Sequence, residues 1–184
     1  YFATTIGQQF FPSDKPSVSL IAAFGAFAAG FIVRPLGGLF FGRIGDLISR
    51  KDALILTLFS MAVPTILMAC MPNYNTIGMA APILIVILRI IQGLSVGGEY
   101  TTSIVYLVEN APKQRRAFFA IWGLWGAVLG ILLASAIASI LANNLDQQQL
   151  NMWGWRVPFA LGTVVAAVGL IIRRSLDSDV AIED

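Results

Sequence analysis

Apolar residues run along this chain in long blocks, not in the short alternations of a half-buried sheet. Five blocks reach or approach the roughly 20 residues that a bilayer-spanning helix needs. They cover 17–42, 53–71, 79–108, 117–142 and 157–172. Residues 1–12 are also apolar, but twelve helical residues reach only about 18 Å, against about 30 Å of hydrocarbon. This stretch reads as part of a further span. Pro12 and Pro16, the run Met71-Pro72-Asn73-Tyr74-Asn75, and the amide-rich stretch Asn143 to Gln149 read as turns and loops between spans. The pattern predicts an all-α integral membrane bundle over 1–174 with six helices, the first truncated. The polar, acidic stretch 175–184 reads as the start of a cytoplasmic linker to a carboxy-terminal half outside this chain.

Composition sharpens this reading. Of 184 residues, 57% are hydrophobic and only 12% charged, where a soluble domain has about 25% charged residues. One cysteine excludes a disulfide scaffold, and the lack of any histidine removes imidazole catalysis and the usual zinc sites. The net charge of +2 is too small for a nucleic-acid footprint. The glycines lie in apolar helical segments with no preceding strand, so a nucleotide-binding loop does not fit. Neither an enzyme nor a resident cofactor is expected.

Orientation follows from the basic residues of the short loops. Loops 43–51 and 110–116, with the exit of the last span, hold eight Lys and Arg, against two in the alternate loops. The first set is therefore expected on the cytoplasmic side of the inner membrane. Trp153 and Trp155 are expected in an outer interfacial belt.

Three ionisable residues fall inside apolar blocks: Arg34, Arg89 and Glu99. Each costs about 2.5–3.5 kcal/mol at a helix centre, so each is a functional-site candidate by default. In the block 79–108, helical spacing places Gln92, Glu99 and Tyr106 on one stripe, with Arg89 about 60° away. Arg89 and Glu99 are about 15 Å apart along the axis and need separate partners or water. Packing alone would also account for buried charges, and Arg34, followed by Pro35, has snorkelling or proline-freed carbonyls as its alternative use. Glu109 is expected to pair with Arg115 or Arg116 at the membrane surface. Gly93, Gly97, Gly98, Gly123, Gly126 and Gly130 provide small residues for close helix approach.

These residues also resemble a known family. The run from Gly42 through Asp46 to Arg50 and Lys51 resembles the loop signature between spans two and three of the major facilitator superfamily, with Leu47 and Ser49 where that signature has arginine and glycine. Arg89-Ile-Ile-Gln92-Gly93 resembles its span-four signature. Together with Arg34-Pro-Leu-Gly-Gly, Gly97-Gly98-Glu99 and Trp153-Gly-Trp-Arg-Val-Pro-Phe159, they resemble the metabolite:proton symporters. The resemblance implies the amino-terminal bundle of a two-bundle transporter with its substrate near mid-membrane. It implies an inner gate that includes Gly42, Asp46, Arg50 and Lys51, with Asp46 latched against the absent half.

The expected function is proton-coupled uptake of a small organic acid or zwitterion by alternating access. Arg89, with Arg34 second, would attract the anionic group. Glu99 would carry the proton, since desolvation of a carboxylate disfavours its charged form. Gln92 and Tyr106 would line the path, and Glu109, Arg115 and Arg116 would complete the gate. The proton is the only coupling ion expected. The partners are the small-molecule substrate, the lipid bilayer and the absent half, with self-association a further expectation. An exporter of the same fold and a non-transporting scaffold or receptor are the alternatives.

Overall fold

The computed structural model describes residues 2–174, and Tyr1 and the tail 175–184 lie outside the described residues. Among the described residues nine α-helices follow in order: α1 (Ala3–Phe10), α2 (Pro16–Ile32), α3 (Arg34–Leu47), α4 (Arg50–Cys70), α5 (Tyr74–Ile77), α6 (Ala80–Glu109), α7 (Arg116–Asn144), α8 (Gln147–Met152) and α9 (Val157–Arg174). No strand occurs among the described residues. Within the described residues five helical segments are long and apolar enough to cross a membrane: 16–47, 50–70, 80–109, 113–144 and 154–174. The chain is an all-α, multi-pass membrane protein.

The second apolar block differs from the uninterrupted helix expected at 17–42. It runs to residue 47 and breaks at Val33, between α2 and α3. Pro35 is the cause: it lacks an N–H, and its ring clashes with the carbonyl four residues back. Ser49 caps α4, its hydroxyl accepting from the Asp52 amide at 3.0 Å. Two expected loops contain short helices. One is α5. The other is α8, opened by a reciprocal capping box between Asp146 and Gln149.

Helix α6 is the axis of the bundle. It packs against α2, α3, α4 and α7, and α4 in turn packs against α9. The crossing of α2 and α3 with α6 is made by small residues. A Cβ added at Gly93 would strike the backbone of Gly30, one at Gly97 the backbone of Arg34, and one at Gly37 the backbone of Leu94. Close backbone approach through small residues is the usual source of helix association in lipid. Gly126 and Gly130 of α7, by contrast, face open space. Ala138 is the only buried residue of α7.

A core cluster of Phe10, Met68, Met71, Ala81, Ile85, Leu88 and Trp155 joins α1, α4, α6 and the turn before α9. Trp155 departs from the expected interfacial belt: it is 2% exposed, whereas Trp153 is 47% exposed. Its ring meets Phe10 edge-on at 5.4 Å and Phe159 at 6.2 Å. Within this cluster the indole gains aromatic contacts that lipid would not supply in fixed geometry.

Candidate functional site

Arg34, Arg89 and Gln92 are brought together. They line one cavity of about 260 Å³, with Phe27 and Phe31 of α2, Thr65 of α4 and Phe159 of α9. The break at Val33 sets Arg34 on the first turn of α3, beside that cavity. Arg34 also opens onto a larger cavity of about 1120 Å³ between α3, α6 and α7. Its guanidinium carbon lies 3.6 Å from the centre of the Phe31 ring, and its Nε is buried without a hydrogen-bond partner.

Arg89 is held in a different way. Its Nη1 donates to Gln92 Oε1 at 3.2 Å, and Gln92 Nε2 donates to Thr65 Oγ1 at 3.0 Å. Thr65 in turn donates to the Met61 carbonyl at 2.8 Å. The Arg89 guanidinium also faces the rings of Phe27 at 5.3 Å and Phe159 at 5.7 Å. Among the described residues no carboxylate pairs with Arg34 or Arg89. The cavity therefore offers two fixed cations, an amide and a hydroxyl between aromatic walls. Such a site suits a small molecule with an anionic group.

Glu99 and Tyr106 do not line this cavity. Glu99 is turned toward α4 and α9, where Arg173 forms an ion pair with it and Thr57 Oγ1 donates at 2.9 Å. Of the two expected options, partners or water, Glu99 has protein partners on α4 and α9, and Arg173 turns back into the bundle to supply one of them. The single polar stripe thus divides between two surroundings. Tyr106 lies half-buried farther along α6.

The loop signature forms a compact network. Arg50 Nη1 meets Asp46 Oδ1 at 2.6 Å, and the same guanidinium meets both Glu109 oxygens at 3.3 Å. Glu109 therefore pairs with Arg50, not with Arg115 or Arg116. The reason is position: Glu109 ends α6 beside the first turn of α4, while Arg115 and Arg116 are exposed at the start of α7. Asp46, expected to latch onto the absent half, is engaged within this bundle, although 62% of its side chain is exposed. Lys51 is half-buried in the same turn as Arg50, and Gly42 lies one turn before Asp46 with open space at its Cα.

The sequence reading missed Thr57, Thr65, Phe27, Phe31, Phe159 and Arg173. Polar and aromatic residues within apolar blocks were the available signal for the first five. Arg173 carried none, because a basic residue at a helix end reads as a surface charge.

Residues 3–177 match the family of sugar (and other) transporters. The alpha-ketoglutarate permease of Escherichia coli (strain K12) is 45% identical over 168 residues, which cover 91% of this chain and 39% of that protein. The proline/betaine transporter of the same organism is 36% identical over 183 residues, covering 100% of this chain and 37% of that protein. The chain thus spans about two-fifths of the length of these relatives. The solved structure of the proton:xylose symporter XylE, of the major facilitator superfamily, superposes with a TM-score of 0.84. It is 21% identical and covers 96% of this chain and 40% of XylE, a likeness of fold alone.

Proposed function

Because this chain belongs to the sugar (and other) transporter family, we propose that it forms one bundle of a secondary active transporter. Its cargo is a small organic acid or zwitterion, taken up with protons by alternating access. The observation that carries this reading is the cavity in which Arg34 and Arg89 converge without a carboxylate partner among the described residues. Two unpaired cations inside a membrane are expensive unless a ligand's negative charge completes the site. The names of the two relatives support the same chemistry, since a ketodicarboxylate, proline and betaine all bear a carboxylate.

In this reading Arg89, steadied by Gln92 and Thr65, receives the carboxylate. Arg34 provides the second positive field, and Phe27, Phe31 and Phe159 exclude water around the apolar part of the substrate. A second bundle, outside this chain, closes the other side of the site. The network of Asp46, Arg50 and Glu109, with Lys51, Arg115 and Arg116 nearby, forms the inner gate on the cytoplasmic side. Glu99 is the titratable group for the coupled proton.

The test is uptake by the intact transporter in vesicles with an imposed inside-alkaline pH gradient. The panel holds labelled dicarboxylates, shikimate, proline and betaine. Accumulation of one class, collapsed by a protonophore and lost in Arg89→Gln, is the expected result. No uptake of any member by folded, correctly oriented protein would overturn the reading.

A further inference from the structure

The Glu99 carboxylate is held from two helices. From α9, Arg173 Nη1 donates to Glu99 Oε2 at 2.9 Å, and Nη2 engages Oε1. Arg173 Nη1 also donates to the Leu54 carbonyl of α4. From α4, the fully buried Thr57 donates its single hydroxyl proton to Oε2 at 2.9 Å, with the Leu54 carbonyl 3.0 Å from the same hydroxyl oxygen. The two charged side chains are only 18% and 27% exposed.

An arginine in the last turn of a membrane helix has an easy alternative: its long stem lets the charge snorkel to the headgroups. Arg173 takes the inward path instead. A buried guanidinium that loses the negative charge it is paired with is strongly destabilised. The inward position of Arg173 and the charged form of Glu99 are therefore one state. A proton on Glu99 leaves Arg173 as an uncompensated inner charge, with headgroups within reach as its outlet.

Among the described residues, the ion pair of Glu99 is with Arg173. On α6 itself, Arg89 and Glu109 are each ten residues away, about 15 Å along the axis. Facing Glu99, α4 contributes the hydroxyl of Thr57. On α3, Phe41 fills the space beside Gly98, and Asp46 is engaged with Arg50. The Arg34 guanidinium lies over Phe31 of α2. On α7, Gly123 meets Ile104 and Leu107, farther along α6.

We propose that Arg173 is the positioning residue of the proton step: it holds Glu99 charged in the conformation seen here and leaves when Glu99 binds a proton. This rests on the proton-coupled reading above. The proton passes from water on the entry side to a carboxylate oxygen of Glu99, and the ion pair opens. On the exit side it returns to water, and the pair closes again. Nothing else is consumed. The pair joins α6 to α4 and α9, so its opening loosens the central helix from both.

The experiment is the pH profile of uptake by the intact transporter in proteoliposomes, for wild type, Arg173→Gln and Arg173→Lys. A cation beside a carboxylate opposes its protonation. The midpoint of the Arg173→Gln profile is therefore expected at higher pH than that of wild type. Arg173→Lys is expected to stay close to wild type. A merely structural pair would lower the rate equally at every pH, so superimposable normalised profiles overturn the proposal. Should Arg173→Gln fail to fold, Thr57→Val removes a donor to the same oxygen. A smaller shift in the same direction supports the proposal, and an unmoved profile overturns it. A wild-type profile with no pH dependence would instead overturn the proton-coupled reading, and this inference with it.

Discussion

Gly93→Ala adds one methyl group where α6 crosses α2. The new Cβ would sit 2.6 Å from the carbonyl carbon and 2.8 Å from the Cα of Gly30, and closer still to its oxygen. Carbon atoms pack at about 3.5–4.0 Å, so the two backbones must part by about 1 Å. Backbone atoms cannot rotate away as a side-chain tip can. The same movement opens the contacts of Gly97 with Arg34 and of Gly37 with Leu94 along the crossing. A gap of this size forfeits a quarter to a half of each contact's dispersion energy, and overpacking of a tight site costs about 1–3 kcal/mol. Gly93→Ala is expected at or above the upper end of that range. Gly126→Ala on α7 is the control, since its added methyl meets open space and improves helix propensity. Equilibrium unfolding in mixed micelles of fixed composition would compare the two. Equal stability of both variants would refute the argument that backbone contact at Gly93 sets the crossing.

Two more outcomes follow from the packing and the charge network. Trp155→Ala empties the core cluster around Phe10 and is expected to cost about 3–5 kcal/mol in the same unfolding assay. A cost below about 1 kcal/mol would mean that Phe10 and Phe159 do not depend on the indole. Arg50→Gln breaks the pairs with Asp46 and Glu109, but both acids are about half exposed or more. Its stability cost is therefore expected below about 1 kcal/mol, while uptake by the intact transporter is expected to slow if the proposed gate is right. A large loss of stability with unchanged uptake would reverse that assignment.

Apolar block length made the helices legible, because the thickness of the bilayer is a fixed ruler. The charges of α6 were legible for the same reason: nothing in lipid explains Arg89 or Glu99 without a partner or a function. The break at Val33 was one step away, since Pro35 signals a kink without saying whether the helix bends or divides. The partners were harder to see. Arg173 is 74 residues from Glu99, and no local pattern tells a long basic side chain to turn inward rather than outward. Glu109 had two arginines close in sequence, yet it pairs with Arg50, 59 residues away, because the ends of α4 and α6 meet. Trp155 looked interfacial by position and is core by packing. In each case the residue type was visible, but its neighbour depended on which helices lie side by side.

That adjacency gives α6 its division of labour. Arg89, in the arginine-lined cavity, and Glu99, paired with Arg173, stand about 15 Å apart on one helix, too far for direct contact. In the proposed mechanism, substrate charge at Arg89 and proton charge at Glu99 communicate through the body of α6. A helix carries displacement between two such points only if it moves as a unit. The backbone contacts at Gly93 and Gly97 lie between them and bind α6 to α2 and α3. A loosened crossing should therefore do more than lower stability. Gly97→Ala is expected to reduce the substrate accumulated per unit of proton gradient more than it reduces substrate binding. Comparison of equilibrium binding with steady-state accumulation in the same proteoliposomes distinguishes the two effects. A parallel fall in both would place the consequence of the crossing in the substrate cavity alone.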